Sequence, residues 1–305
     1  MKALRNKPAK DLNLRRREAA KGITLILPAI ILLIIFTIYP MIYLIHSSMY
    51  DGTLISPVRN FIGLGNYIQL FKSTDFKITL KNTLVYSVGL VSIVMVLGTL
   101  FAVWVNGKHQ KWLNNLVMAA AFTPHIISLV SVSSVFLWIM NQDNGIINYL
   151  LRLVGLPEFP FLGSSKTALA SLVMMMVWKS LGYYAFLILA ALQMVPQEIY
   201  EAAELDNTPK VRVFFHITLP MISPTLFFTT IVATINSFQV FESVNLMTQG
   251  GPVSSTNTLV YMIYSDAFKY LKLGPASAES VVLLILVGIL TVVYFACLGK
   301  KVHYQ

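Results

Sequence analysis

The stretch VPQEIYEAAELDNTPKVRVFFHITLP, residues 195–220, lies between two apolar runs and carries most of the information about the fold. Pro196 suits the first position of a helix, where a missing N–H loses nothing. Gln197 and Glu198 follow, and an acid in the first turn suits the helix dipole. Glu198, Glu201 and Glu204 recur every three residues and form one acidic face. Ile199, Ala202, Ala203 and Leu205 form a second face of small and apolar groups, where paired alanines let another surface approach the backbone. The chain breaks at Asp206-Asn207. Thr208 is placed to cap a second helix, with Pro209 as its first residue. Lys210, Arg212, Phe214 and Phe215 come next, and Leu219-Pro220 opens the following apolar run. The pattern reads as a compact helix–turn–helix suited to docking into a groove. On pattern alone an ordinary solvated loop fits as well, because a charged helix face is usually just solvated.

The sequence around this loop identifies its solvent. Of 305 residues, 56% are apolar and 12% are charged, about half the charged share of a soluble domain. A globule in water has no core large enough for so many apolar residues, and disorder is excluded on the same ground. A spanning helix needs about 20 mostly apolar residues. Six runs meet that length: 22–46, 82–107, 112–142, 167–195, 221–241 and 280–299, with Lys179 inside the fourth. The first run exceeds the apolar core of a signal peptide and lacks a small-x-small cleavage site, so it reads as a retained anchor. No strand alternation long enough for a barrel occurs. The outer loops 47–81 (Asp51-Gly52, Ser56-Pro57, Gly63 to Asn66) and 143–166 (Gly155, Pro157, Pro160, Gly163) carry turn signals and are too small to be domains.

The net charge of +10 sits in the short segments between these runs. Segments 1–21, 106–111, 196–220 and 300–305 hold 14 Lys and Arg in 58 residues, against 8 in 97 for loops 47–81, 143–166 and 242–279. Positive residues mark the cytoplasmic side, so both termini are expected there. Residues 1–21, with Arg15-Arg16-Arg17 and Lys21, form a basic cytoplasmic segment. It reads as a topogenic flank, with a lipid-regulatory patch as the other reading. The charge is thus a topology signal, and no nucleic-acid partner is expected.

Reaction chemistry is missing from the sequence. The single Cys297 excludes an intrachain disulfide and a multi-cysteine metal site. No zinc-protease, Cys-x-x-Cys, nucleophile-elbow or phosphate-loop motif is present. No catalytic residue, metal ligand or cofactor of this chain's own is expected. Lys179 is the one clear ionisable group inside a run, with His125 near mid-span and Glu242 at a span end, which is thin equipment for a proton relay. If the protein moves a solute, the energy comes from another polypeptide.

Glu201-Ala202-Ala203, then Asn207, then Ile217-Thr218-Leu219-Pro220 resembles the EAA loop of binding-protein-dependent ABC importer permeases. That family's pattern is Glu-Ala-Ala, three residues, Gly, nine residues, Ile-x-Leu-Pro, and the spacing matches throughout. Phe61-x-Gly-Leu-x-Asn66-Tyr67, Thr248-Gln249-Gly250-Gly251-Pro252 and the terminal Val302-His303-Tyr304-Gln305 are similar to the maltose-type sugar permeases. The resemblance spans residues 22–305. Asn207 replaces the family glycine, and Asn is the non-glycine residue that best tolerates a left-handed turn.

The resemblance implies an all-α membrane protein of the type I importer (MetI-like) permease fold, with six transmembrane helices and both termini cytoplasmic. Residues 22–305 would form the transmembrane domain and 196–220 its coupling loop, with Glu201, Ala202, Ala203, Asp206, Asn207, Ile217, Leu219 and Pro220 as its key positions. It implies a multi-pass protein of the cell membrane with four kinds of contact: a second permease, two copies of a cytoplasmic ATPase that hold ATP and Mg, an extracytoplasmic solute-binding protein, and membrane lipid. The permease would carry a carbohydrate inward by alternating access and would not itself be an enzyme. A glycerol phosphate or other anionic-sugar importer is the near alternative. A stand-alone membrane enzyme or ion-driven carrier is the alternative from another class.

The solute path needs polar groups within apolar spans. Lys179, Ser180 and Tyr183 share a helical face, and a mid-membrane charge should face the bundle interior. Lys179 would suit an anionic solute, or serve as a structural pair or snorkelling side chain. Asn236, Gln239 and Glu242 recur every three residues beside Ser237, as solute contacts or interhelical glue. The resemblance places Ser180, Tyr183, Ser237 and Val240 at sugar-contacting positions, and the apolar Val240 implies contacts different from the maltose case. Tyr183, Tyr184 and Phe241 could stack on sugar or simply pack. Thr123-Pro124-His125 should kink the third run, with His125 a hydrogen-bonded interior group rather than a ligand contact.

Overall fold

The computed structural model describes residues 7–53, 60–107 and 111–297. The terminal Val302-His303-Tyr304-Gln305, the turn signal Ser56-Pro57 and the basic Lys108 lie outside the described residues. The chain is helical except for the loops. Helix α1 (Lys7–Leu33) continues through a π-helical stretch, Ile34–Ile38, into α2 (Tyr39–Ser47). The segment that follows holds β1 (Tyr50–Asp51), β2 (Asn60–Phe61) and α3 (Gly65–Lys72). Then come α4 (Thr74–Val105), α5 (Lys111–Ile126), α6 (Leu129–Ile139), α7 (Ile146–Leu153) and α8 (Ala168–Gln193). The loop after α8 holds α9 (Gln197–Leu205), α10 (Lys210–Val213) and α11 (Leu219–Met221). Last are α12 (Ser223–Phe238), α13 (Leu259–Tyr264) and α14 (Leu273–Cys297).

Four helices among the described residues are long and apolar enough to cross a membrane, or six if each of two bent pairs is one span. One bent pair is Trp112–Ile126 with Leu129–Ile139, at 96°. The helix runs through Pro124 to Ile126, so the kink expected at Thr123-Pro124-His125 is instead a full break just past that tripeptide. Ser128 leaves helical geometry two residues past the helix end. The other pair, Lys210–Met221 with Ser223–Phe238, bends by 70° where the expected span at 221 begins.

Several helices outrun their apolar stretches. Helix α4 starts at Thr74 because Ser73 caps it, its hydroxyl accepting from Phe76 N at 3.4 Å, with Asp75 in the first turn. Helix α14 starts at Leu273, ahead of the expected 280, and so takes in Glu279, which is 1% exposed. Lys179 is thus not alone as an ionisable group within a span, which corrects the expectation from sequence. The Glu279 carboxyl lies beside Asp266.

Helices α4 and α8 pack along each other at the centre, α5 lies on α8, and α12 lies on both α4 and α8. Their contact is largely apolar: Tyr86 and Val94 of α4 share one buried cluster with Leu172 and Met175 of α8, Val132 of α6 and Ala233 of α12. In lipid, burial alone does not draw helices together, so close packing at small residues carries the association. Gly98 of α4 faces the Ala185 backbone in this way.

The outer loops are tied down by side chains. Asn66 Nδ2 donates to the Ser48 and Tyr50 carbonyls at 2.8 and 3.0 Å, and the Tyr67 and Ser48 hydroxyls lie 2.6 Å apart. This gives the Phe61-to-Tyr67 motif a physical role: it pins the hairpin β1–β2, which pairs Tyr50 with Phe61 and Asp51 with Asn60, onto the end of α2. In the Thr248-to-Pro252 motif, Gln249 and Gly250 both take left-handed conformations. Asn82 of α4 donates to the Ser254 and Asn257 carbonyls at 2.8 and 3.1 Å, fastening that loop to the bundle.

Candidate functional site

The loop between α8 and α12 is a rigid elbow. At the end of α9, the Thr208 N–H bonds the Ala203 carbonyl and the Asn207 N–H bonds the Glu204 carbonyl, both at 3.0 Å. This pair of bonds is the Schellman closure, which demands a left-handed residue at the position Asn207 fills. Asn207 has φ +51°, so the departure from glycine leaves the turn intact. The start of each helix differs from expectation. Pro196 flanks α9 in an extended conformation instead of opening it. Pro209, not Thr208, flanks α10. Thr208 lies one residue before the cap position of α10, and Pro209, which fills that position, has no side-chain oxygen to accept from the first N–H groups.

Tyr200 and Thr218 hydroxyls, 3.3 Å apart, hold α9 against the π-helical stretch Phe214–Thr218. Beside them opens a depression of about 400 Å³ lined by Glu198, Ile199, Ala202, Ala203, Asp206, Thr208 and Ile217. Glu198, Glu201 and Glu204 are all exposed, as the three-residue spacing predicts, and Gln197 Nε2 donates to Glu201 Oε1 at 2.8 Å. The small-residue face is narrower than expected. Ala203 is buried and Ile199 half-buried, but Leu205 is 84% exposed. Leu205 is one residue past the row that faces Thr218, and it points away with Val211 and Phe215. Leu219 and Pro220 are half-buried at the elbow's base, where Leu219 packs against a cluster containing Ile188 and Leu192.

The candidate path residues divide into two groups. Tyr183 is half-buried, and its ring stacks on the His125 ring at 4.2 Å with 11° between planes. Its neighbour Tyr184 stands edge-on at 5.1 Å, and Asn236 of α12 lies beside the Tyr184 hydroxyl. Ser180 is half-buried on the same side. Asn236, Gln239 and Glu242 are exposed, a polar stripe on an otherwise apolar segment. Ser237 and Val240 face inward instead. The Ser237 hydroxyl donates back to the Thr234 carbonyl at 2.7 Å, and Val240 belongs to the central packing cluster. Lys179 is buried, and its Nζ donates to the Pro124, His125 and Ile127 carbonyls. His125 itself is exposed, and its backbone rather than its ring makes the hydrogen bond. Phe241 packs on Tyr264 at 4.8 Å. In the segment between α13 and α14, Lys269 Nζ donates to the Tyr261 hydroxyl at 2.8 Å, a bond that holds its pKa above the ordinary lysine value.

Residues 94–304 match the family model described as the binding-protein-dependent transport system inner membrane component. The chain belongs to this family. It is an inner-membrane component of a binding-protein-dependent transport system. Among similar proteins, the sulfoquinovosyl glycerol transport system permease protein SmoG of Agrobacterium fabrum is 32% identical over 92% of this chain and 91% of its own length. The sn-glycerol-3-phosphate transport system permease protein UgpA of Pectobacterium atrosepticum is 31% identical over 92% of this chain and 95% of its own. The trehalose/maltose transport system permease protein MalF of Thermococcus litoralis is 31% identical over 92% and 94%. Among solved structures, a bacterial ABC transporter that imports the acidic polysaccharide alginate contains a chain that aligns with a TM-score of 0.83. It shares 23% identity over 95% of this chain and 99% of that one, which establishes a common fold. The position that sequence reasoning did not single out is Glu279 in α14, because the helix begins ahead of its apolar run and so takes in this acid beside Asp266.

Proposed function

We propose that this chain is the permease subunit of an ATP-driven importer that carries a carbohydrate inward by alternating access. The observation that carries the reading is the elbow. A Schellman-closed turn at Asn207 holds two short helices at a fixed angle, with exposed acids and an alanine-lined depression beside them. A rigid, charged and concave surface is a shape for gripping, and a gripped elbow transmits force as a rigid body. The Lys and Arg count supports an elbow on the cytoplasmic side together with both termini. The partners are a second permease, two copies of an ATPase that hold ATP and Mg, and an extracytoplasmic binding protein, so hydrolysis occurs outside this chain. The elbow depression receives a part of the ATPase. Tyr183, Ser180, Asn236 and Gln239 form the solute-facing group. Ser237 and Val240 stand behind them in this conformation.

Sugar transport is favoured because the names of SmoG and MalF specify glycosides. The name of UgpA specifies sn-glycerol-3-phosphate, which supports the anionic alternative. Reconstitution of the whole transporter tests the reading. Glu201→Lys or Ala202→Trp should leave the subunit in the membrane and abolish solute-stimulated ATP hydrolysis. Normal transport by both variants would refute the docking role. Full activity of the purified lone chain would instead favour a stand-alone enzyme or carrier.

A further inference from the structure

A break in a membrane helix leaves the last carbonyls of its first half without donors, and hydrocarbon offers no water to satisfy them. At the 96° break between α5 and α6, those of Pro124, His125 and Ile127 all accept from one atom. Lys179 Nζ donates to them at 3.1, 3.1 and 2.7 Å. The side chain reaches in from the middle of α8 and is 8% exposed. An ammonium has three N–H donors and no acceptor, so three carbonyls saturate it. Its charge also sits at the negative end of the α5 dipole, where a cation is favoured. One turn further along α8, Gly182 brings the two backbones so close that a Cβ there would overlap the Ala121 carbonyl. The same end of α5 carries His125, whose ring stacks on Tyr183.

We propose that Lys179 is a positioning residue. It fixes the α5–α6 break, and through it the His125–Tyr183 pair, without touching solute. This rests on the reading of Tyr183 as a path residue. A saturated ammonium has no donor left for a carboxylate, sulfonate or phosphate, so this lysine does not bind solute directly. Arginine keeps a cation and spare donors at the site, whereas methionine keeps the length and removes every donor.

The test uses the complete reconstituted transporter in a Cys297→Ser background. Nitroxide labels at Leu116→Cys on α5 and Val135→Cys on α6 report the distance across the break. Lys179→Met should broaden or shift that distance, and Lys179→Arg should restore it. Lys179→Met should also lower the maximal uptake rate by about tenfold, with the half-saturating solute concentration within about twofold, for charged and neutral solutes alike. An unchanged distance in Lys179→Met overturns the proposal. So does a defect confined to affinity for an anionic solute. If Lys179→Met fails to assemble, the same distance is read in Lys179→Gln, which retains two donors, and must widen there. Should Tyr183→Ala leave uptake intact while Lys179→Met still widens the distance, the path assignment fails and the helix cap stands.

Discussion

Asn207 shows how far one residue can be read. The resemblance, which puts Asn207 in place of the family glycine, implies a left-handed turn there, and the structure has φ +51°. A left-handed backbone costs an ordinary L-residue roughly 1–2 kcal/mol and glycine almost nothing. Asn207→Gly is therefore expected to transport as well as the parent. Asn207→Val, with a branched Cβ, should lower the ratio of solute moved to ATP hydrolysed, measured in proteoliposomes. Equal ratios in both variants would show that the turn's handedness does not matter to coupling. Gly182 could not be read in the same way. A glycine in an apolar run has no pattern of its own, and only the fold reveals that α5 passes against it. Gly182→Ala is expected to push α5 off α8 and destabilise the subunit by about 1–3 kcal/mol or more, the usual range for overpacking. A lowered melting temperature of the detergent-purified complex would show it, and a parental melting temperature would argue against the close approach.

At the scale of elements, what could be read depended on where the chain makes its hydrogen bonds. Apolar runs locate helices well in lipid, because backbone groups there must be satisfied within the segment. The runs around α8 and α4 were found for that reason. Helix ends were missed where polar residues open a helix ahead of its apolar run, as Ser73 and Asp75 do for α4, and where a buried acid lies within the helix, as Glu279 does in α14. The break after Ile126 was legible as a proline but not as a right-angled bend, since its support comes from Lys179, more than fifty residues away. The outer hairpin was visible only as turn signals, while its fastening lies in Asn66. Asn66→Leu removes both donors from the Ser48 and Tyr50 carbonyls. Each orphaned buried acceptor costs about 1–3 kcal/mol. The segment from Ser48 to Phe61 should then become a site of rapid proteolytic cleavage in right-side-out vesicles while α4 and α8 stay protected. Unaltered cleavage kinetics would mean that the strand pairing alone holds the hairpin.

For the whole molecule, the most telling surface is the first span. In Lys21–Ser47 none of the most apolar window is buried against the rest of the chain, whereas the corresponding windows of Thr74–Val105 and Ala168–Gln193 are 39% and 44% buried. Among the described residues its main packing is at its end, where α2 meets α14. A helix that gives its own chain so little contact area contributes little to that chain's packing, and lipid contacts alone do not fix its direction. The positive flank can set its orientation, and under the proposed function the second permease would cover its remaining face. Two outcomes follow. Reporter fusions at the N- and C-termini should both score as cytoplasmic, and neutralising Arg15, Arg16 and Arg17 should mix the orientation of the first span, because that cluster dominates the charge count. Expressed without its partner permease, the subunit should insert but turn over faster in pulse–chase, and co-expression of the partner should lengthen its lifetime. Equal lifetimes with and without the partner would mean that the exposed first span is content in lipid, and the second permease would then have to seat elsewhere on the bundle.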